Sequence, residues 1–138
     1  MQFIWYETDG WEERQILVNL EYEKAVAFLA QAEGNAGIGF WDVVANRLYY
    51  SVFHAVSALL INDSHKVGTH KGAILMFGQH YVKEGKFPIE DAKLYSQLQI
   101  MREKGDYNCV YQTTEEEMRP LIEPVREFVG RIGQKLRK

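Results

Sequence analysis

The hydrophobic positions of this chain recur at helical spacing along nearly its whole length. In residues 12–33 the apolar side chains fall at intervals of three and four, which places them on one face of a helix. They are Val18, Tyr22, Ala25, Leu29 and Ala32. No segment shows the sustained apolar–polar alternation of a strand, and none carries a two-residue hairpin turn. The pattern therefore predicts an all-α protein.

The same spacing, together with the residues that start and end helices, divides the chain into five helices. The predicted helices cover residues 12–33, 40–61, 69–84, 89–104 and a last segment that begins at 113–117. The glycine-rich stretch 34–39 ends the first helix, Thr69 caps the third, and Gly105 weakens or ends the fourth. At the start of the last helix, a threonine followed three residues later by a glutamate predicts a capping box.

The last predicted helix carries two prolines, Pro120 and Pro124. A proline in a helix interior removes a backbone hydrogen bond and costs about 3 kcal/mol, so a kink or break is expected within 118–124. Residues 1–10 are interpreted as an irregular lead-in and residues 11–138 as one helical domain, because 138 residues suit a single compact domain. The predicted architecture is an up-down bundle of four long helices plus a short or kinked fifth.

Composition narrows the class of protein. The chain is 46% hydrophobic and 13% aromatic, which excludes a disordered chain. Its net charge of −3 argues against extensive nonspecific binding to nucleic-acid backbones, so any contact with RNA should be local. A single cysteine, Cys109, cannot form an internal disulfide.

The longest apolar run is far below the roughly 18 residues that span a membrane, and no signal peptide is recognisable, so we expect a cytoplasmic protein without membrane contact.

The predicted helix 40–61 is apolar almost all round, and Asp42 and Arg47 are its only ionised side chains at neutral pH. Helical spacing nevertheless places four polar side chains on one face. They are Arg47, Tyr50, Ser51 and His54. A buried arginine without a partner costs several kcal/mol, so Arg47 is expected to meet an anion.

Two alternatives satisfy that requirement. Arg47 forms an internal ion pair that fixes the packing of two helices, with Asp106 as the preferred partner and Asp91 as the second choice. Otherwise Arg47 and His54, joined by Arg102, face a cleft and bind a phosphate or a base, because a guanidinium is a planar fork suited to such anions.

Two further stretches carry candidate chemistry. One is the run from Arg102 to Asp106 and Tyr107, where a second arginine and an acid end the fourth helix. The other is the stretch around His70, at a predicted helix start. The histidines at positions 65, 70 and 80 do not form a zinc-binding signature, and there is no glycine-rich phosphate loop, so neither a metal nor a cofactor is expected.

Three blocks of residues together resemble the HEPN family (higher eukaryotes and prokaryotes nucleotide-binding), in particular its small stand-alone prokaryotic branch. The blocks are Asn46-Arg47-Leu48-Tyr49-Tyr50 with Phe53-His54-Ala55, then Thr69-His70-Lys71-Gly72, and then Arg102 with Gly105-Asp106-Tyr107. The resemblance spans about residues 12–133. It implies a bundle of four or five helices that is often dimeric, and that in many members acts beside a minimal nucleotidyltransferase in toxin–antitoxin or related modules.

Other members of that family are metal-independent RNases, whose signature is an arginine, four to six residues, and a histidine. After Arg102 the permitted histidine positions hold Tyr107, Asn108 and Cys109, so the signature is incomplete there. Arg47 and His54 satisfy the literal spacing. We therefore assign no catalytic residue and keep three candidates: His54, Arg47 and Arg102.

The resulting hypothesis is a HEPN-type nucleotide- or RNA-associated module that acts with a nucleotidyltransferase partner in a toxin–antitoxin-like, stress or defence system. The predicted binding residues are Arg47, Tyr50, His54, His70, Arg102, Asp106 and Tyr107. The alternatives are a weak RNase toxin and a non-catalytic homodimer or adaptor whose polar stripe only sets helix register.

Overall fold

The computed structural model describes residues 10–66, 68–107 and 109–137. Its helices are α1 (Trp11–Gly37), α2 (Trp41–Asn62), α3 (His70–Phe77), α4 (Ile89–Tyr107) and α5 (Glu115–Leu136). A π-helical turn, Gly78–Val82, continues α3. Four of the five helices are long, one is short, and the described residues contain no strand. The predicted all-α bundle is confirmed, with α3 as the short helix.

Helix α2 lies at the centre of the bundle because its side chains are apolar almost all round. Every residue from position 48 to position 61 is buried. Helices α1, α3, α4 and α5 all pack against α2, and α1 follows it along much of its length. The uncharged run that marked this segment in the sequence is thus the core of the protein.

Two helix ends differ from the prediction. Helix α1 continues through Gly34 to Gly37, because Ala36 is buried at the end of the helix and its packing offsets the low helix propensity of glycine. The chain then reverses at Gly39, whose φ of +81° suits a residue without a side chain. Helix α4 likewise runs through Gly105 to Tyr107.

The predicted caps are present. The hydroxyl oxygen of Thr69 accepts a hydrogen bond from the Gly72 backbone N–H at 2.8 Å and so begins α3. Thr114 and Glu117 form a reciprocal capping box at the start of α5. These local signals fix helix starts because they satisfy backbone donors that no helical hydrogen bond can reach.

Of the predicted kink or break within 118–124, the break was wrong, since α5 is one uninterrupted helix, and the kink stays a prediction. Pro120 and Pro124 remove the hydrogen bonds that the carbonyls of Glu116 and Pro120 would otherwise accept. Both of those residues are exposed, so water can bond to the freed carbonyls. Of the predicted lead-in, 1–10, only Gly10 belongs to the described residues, where it precedes α1.

Candidate functional site

The polar stripe of α2 faces α1, and two of its members bond directly to that helix. The Ser51 hydroxyl donates to the backbone carbonyl of Ala25 at 2.7 Å. The His54 Nδ1 atom lies 2.6 Å from the Glu21 carboxylate. Helix α1 therefore supplies the partners that these buried α2 side chains need.

The Glu21–His54 pair determines which ring nitrogen of the buried His54 imidazole carries a proton. A carboxylate can only accept a hydrogen bond, so Nδ1 of His54 carries a proton. The other ring nitrogen, Nε2, is buried and has no hydrogen-bond partner among the described residues. The His54 side chain is 5% exposed and that of Glu21 is 25% exposed. The pair thus holds an oriented imidazole whose second nitrogen is enclosed and uncommitted among the described residues.

Arg47 does not form the predicted ion pair. Its side chain is only half-buried, its Nη1 donates to the Asn46 amide oxygen at 2.6 Å, and its guanidinium lies 5.2 Å from the centre of the Phe28 ring. Within the described parts of the chain it has no carboxylate partner. Because the half-buried side chain keeps contact with water, the guanidinium is not a stranded charge, and the expected internal ion pair with Asp106 or Asp91 was wrong. The alternative, in which Arg47 binds a phosphate or a base, stays a prediction.

The two acids proposed as partners of Arg47 bond elsewhere. Asp91 is buried and accepts hydrogen bonds from Arg131, including one from Nε at 3.1 Å. Burial raises the pKa of the Asp91 carboxyl above its usual value, and the neighbouring Arg131 offsets only part of that rise. Asp106 pairs with Arg102. Asp91 is thus bound by Arg131 of α5 and Asp106 by the residue four positions earlier on its own helix, so neither acid lies against Arg47.

Arg102, on α4, is largely enclosed by aromatic rings. Its side chain is 13% exposed, and its guanidinium lies 4.9 Å from the centre of the Tyr49 ring and 5.7 Å from that of Tyr50. Nη1 donates to Asp106 at 3.1 Å and to the Tyr50 hydroxyl at 3.4 Å. Nε is buried and has no acceptor among the described residues. Arg102 therefore keeps an unused donor beside a half-exposed carboxylate.

His70 joins this cluster from the first residue of α3. Its Nδ1 lies 2.6 Å from the Tyr49 hydroxyl, and its ring stacks on Phe53 with centroids 4.5 Å apart. Burial raises the pKa of Tyr49 far above its usual value, although the nearby Arg102 lowers it in part. Tyr49 consequently stays a neutral phenol that can donate to the imidazole, and it is unsuited to act as a phenolate base.

The predicted binding residues fall into two linked groups and one outlier. Arg102, Asp106, Tyr50 and His70 form one group around the paired tyrosines, which we call the Arg102 cluster. Arg47 and His54 lie against α1. The Phe28 ring connects the groups, since its centroid is 5.4 Å from that of His54 and 6.4 Å from that of Tyr50. Tyr107 stands apart at the end of α4 and is 83% exposed.

Three residues of the site were not predicted. They are Glu21, Phe28 and Tyr49. Glu21 and Phe28 lie on either side of Ala25 in α1, at positions i, i+4 and i+7. This spacing matches that of the α2 stripe, so aligning the two helices could have paired them. Tyr49 is also a core aromatic, because it is fully buried.

In residues 10–66, 68–107 and 109–137, no group of three or more histidine, cysteine, aspartate or glutamate side chains is arranged to hold a metal ion. In the same residues, no helix combines the length and the apolar character needed to cross a membrane.

The chain is similar in sequence to several known proteins. A protein named "Putative toxin" from Methanocaldococcus jannaschii is 32% identical over 127 residues, which is 92% of this chain and 91% of that protein. A second protein of that name and organism is 27% identical over 114 residues, 83% of this chain and 78% of its own length. A "UPF0332 protein" of Thermotoga maritima is 33% identical over 87 residues, 63% of this chain and 66% of that protein.

A sequence model of the HEPN domain matches residues 18–135, which run from α1 to the end of α5. The matched segment contains both arginines, both histidines and the acids of the site described above. The chain therefore belongs to the HEPN domain family.

Proposed function

We propose that this protein is a toxin-like HEPN module that binds the phosphate groups of RNA or of a nucleotide through the Arg102 cluster. In this proposal it acts in the cytoplasm, with a nucleotidyltransferase as its partner. The observation that carries the proposal is the set of contacts around the Arg102 guanidinium. Its guanidinium is enclosed by two tyrosine rings, its internal anion is a half-exposed carboxylate, and its Nε has no acceptor among the described residues.

The cluster suits a phosphate for two reasons. An enclosed guanidinium forms stronger charge-assisted hydrogen bonds than one in water, because water competes less for its donors. The tyrosine faces also fix the plane of the guanidinium, so little conformational freedom is lost when an anion binds. Asp106 is 43% exposed and can turn to solvent when an incoming phosphate takes its place. Family membership and the toxin names of the relatives support the biological setting.

The binding test compares Arg102 with Arg119, which also has an aromatic ring and an acid as neighbours. Arg102→Met is expected to weaken binding of a labelled single-stranded RNA oligonucleotide at least tenfold, or about 1.4 kcal/mol, because each hydrogen bond to a charged group contributes roughly 1.5–3 kcal/mol. Fluorescence anisotropy at one fixed salt concentration measures the affinity.

Arg119→Met is the control. Arg119 also lies over an aromatic ring, that of Trp41 at 5.1 Å, and also pairs with an acid one helical turn away, Glu115. It differs in being 57% exposed. If both variants lose the same affinity for RNA, the loss reflects only the change in net charge, and this result would contradict the proposal. So would the absence of any binding of RNA or mononucleotides by the wild-type protein, with or without the partner.

A second candidate function, a metal-independent RNase, is favoured by one observation. The Glu21–His54 pair presents an oriented imidazole whose Nε2 is unpartnered among the described residues. If this imidazole acts as a general base or acid, induced expression should arrest growth, and His54→Ala should abolish the arrest while the protein still folds. If cells that express the wild-type protein grow normally, the RNase function is excluded. The binding function then remains the proposal.

A further inference from the structure

A small cavity of about 280 Å³ lies at the C-terminal end of α2, away from the Arg102 cluster. Asn62, which lines the cavity, is about 18 Å along α2 from Tyr50. The described lining comes from α2, the π-helical turn, the loop that follows this turn, and α5. It consists of Leu59, Asn62, Asp63, Tyr81, Lys86 and Lys135. None of these residues belongs to the site described above.

Irregular backbone brings these side chains together. The π-helical turn contributes Tyr81. Directly after Asp63 the chain turns at Ser64, whose φ of +62° is left-handed, and directly before Lys86 it turns at Gly85, whose φ is +78°. A π-helical turn and a left-handed residue other than glycine are both uncommon, and both are frequent at functional sites. Their presence around one cavity indicates a role beyond packing.

One side of the cavity accepts hydrogen bonds. The Asp63 carboxylate accepts one from the Tyr81 hydroxyl at 2.6 Å and one from the Asn62 amide at 3.2 Å. Burial and the hydrogen bond to Asp63 raise the pKa of Tyr81 well above its usual value, so the phenol stays protonated and donates. A carboxylate offers roughly four acceptor positions, and these two donors leave the others unused. Asp63 can therefore also bond a cationic donor.

The other side of the cavity carries two ammonium groups beside aromatic rings. The Lys86 Nζ atom lies 5.7 Å from the centre of the Tyr81 ring, and the Lys135 Nζ atom lies 6.0 Å from that of Phe87. Lys135 has no carboxylate partner in the described parts of the chain. Lys86 lies 3.5 Å from Glu84, but both side chains are about half exposed, so this ion pair contributes little. Both ammonium groups are thus available to an anion.

We propose that this cavity binds a free α-amino acid. The carboxylate of the amino acid meets Lys86 and Lys135, and its α-ammonium group meets Asp63. Among the described residues Asp63 pairs with neither lysine, so the cavity holds opposite charges apart. A zwitterion satisfies both sides, whereas a simple anion would also lie near the Asp63 carboxylate and be repelled by it. The cavity is slightly smaller than the range of about 300–1,000 Å³ typical of drug-sized ligands, so its occupant is small.

The test uses the full chain and the standard L-amino acids as probes. Differential scanning fluorimetry, with each amino acid at one fixed millimolar concentration, is expected to show a higher Tm with at least one of them, because a ligand that binds the folded state stabilises it. Acetate and ethylammonium, which each carry only one of the two charges, should leave the Tm unchanged. Calorimetric titration with the best amino acid then measures the affinity.

Two variants change one side of the cavity each. Asp63→Asn and Lys135→Met are each expected to weaken binding at least tenfold. Asparagine keeps an acceptor oxygen for the Tyr81 hydroxyl, so the first variant should retain the fold. Lys83→Met is the control, because Lys83 is an exposed lysine near the same turn that does not line the cavity. It should bind the amino acid like the wild-type protein.

Four results would each overturn the proposal. They are a Tm that no amino acid raises, an equal rise with acetate, an unchanged affinity in Asp63→Asn, and an equal loss of affinity in Lys83→Met. The site does not depend on RNA binding, since its residues lie outside the Arg102 cluster. A failure of the RNA-binding experiment would therefore leave this proposal in place.

Discussion

Replacing Glu21 by alanine is expected to lower the free energy of unfolding by about 1–3 kcal/mol, the penalty for leaving a buried polar group without its partner. Glu21 bonds the protonated Nδ1 of His54, whose Nε2 already has no partner among the described residues. The substitution would leave both nitrogens of a 5% exposed imidazole unsatisfied. Urea-induced unfolding, followed by circular dichroism, measures the difference.

A second substitution separates this mechanism from a general loss of packing. In a His54→Leu background no imidazole donor remains, so Glu21→Ala should cost little there. Glu21→Gln keeps an acceptor oxygen and should lose less stability than the alanine variant. If Glu21→Ala lowers the free energy of unfolding equally with histidine and with leucine at position 54, the Glu21 and His54 side chains are not coupled. That result would contradict the Glu21–His54 pair.

The contact between α1 and α5 depends on a missing side chain at Gly133. A Cβ atom there would clash with the hydroxyl of Tyr22, and would lie 2.8 Å from its Cζ. That hydroxyl donates to the Val129 carbonyl at 2.9 Å, so moving the ring also breaks a hydrogen bond. Gly133→Ala is expected to lower the free energy of unfolding by about 1–3 kcal/mol despite the better helix propensity of alanine. Thermal and urea unfolding both measure this loss.

Gly130 provides the matched control one turn earlier in α5. It is exposed, and a Cβ atom there would have no other heavy atom within 4 Å. Gly130→Ala should raise the free energy of unfolding by up to about 1 kcal/mol. Tyr22→Phe removes the hydroxyl and should relieve part of the Gly133→Ala loss. Equal stabilities of the two alanine variants would contradict the close packing of Tyr22 against α5.

The sequence predicts most of the fold because the fold follows from local rules. The uncharged run of α2 identified the central helix, and the Thr69 and Thr114 caps fixed two helix starts. The errors arose where tertiary packing overrides local preference. Burial of Ala36 extends α1 beyond its glycines, and exposure of the freed carbonyls lets α5 pass through both prolines.

The site was harder to predict because ion pairing depends on how the helices are rotated against one another. The sequence identified the polar stripe, and its spacing matches that of Glu21, Ala25 and Phe28, yet nothing in it showed that Arg47 stays half-exposed beside Phe28. Another pairing was directly accessible from the sequence. Arg102 and Asp106 are four residues apart on the same helix, so the i, i+4 rule alone favours their pairing.

Arginine Nε–H resonances, followed by ¹⁵N NMR during titration with a single-stranded RNA oligonucleotide, test the central claim about Arg102 most directly. The Nε–H of Arg102 has no acceptor among the described residues, whereas that of Arg119 bonds to Glu115 at 2.6 Å. We expect the Arg102 signal to shift most and that of Arg119 to stay in place. An Arg102 signal that does not move at saturating RNA, while signals of other arginines shift, would contradict the claim.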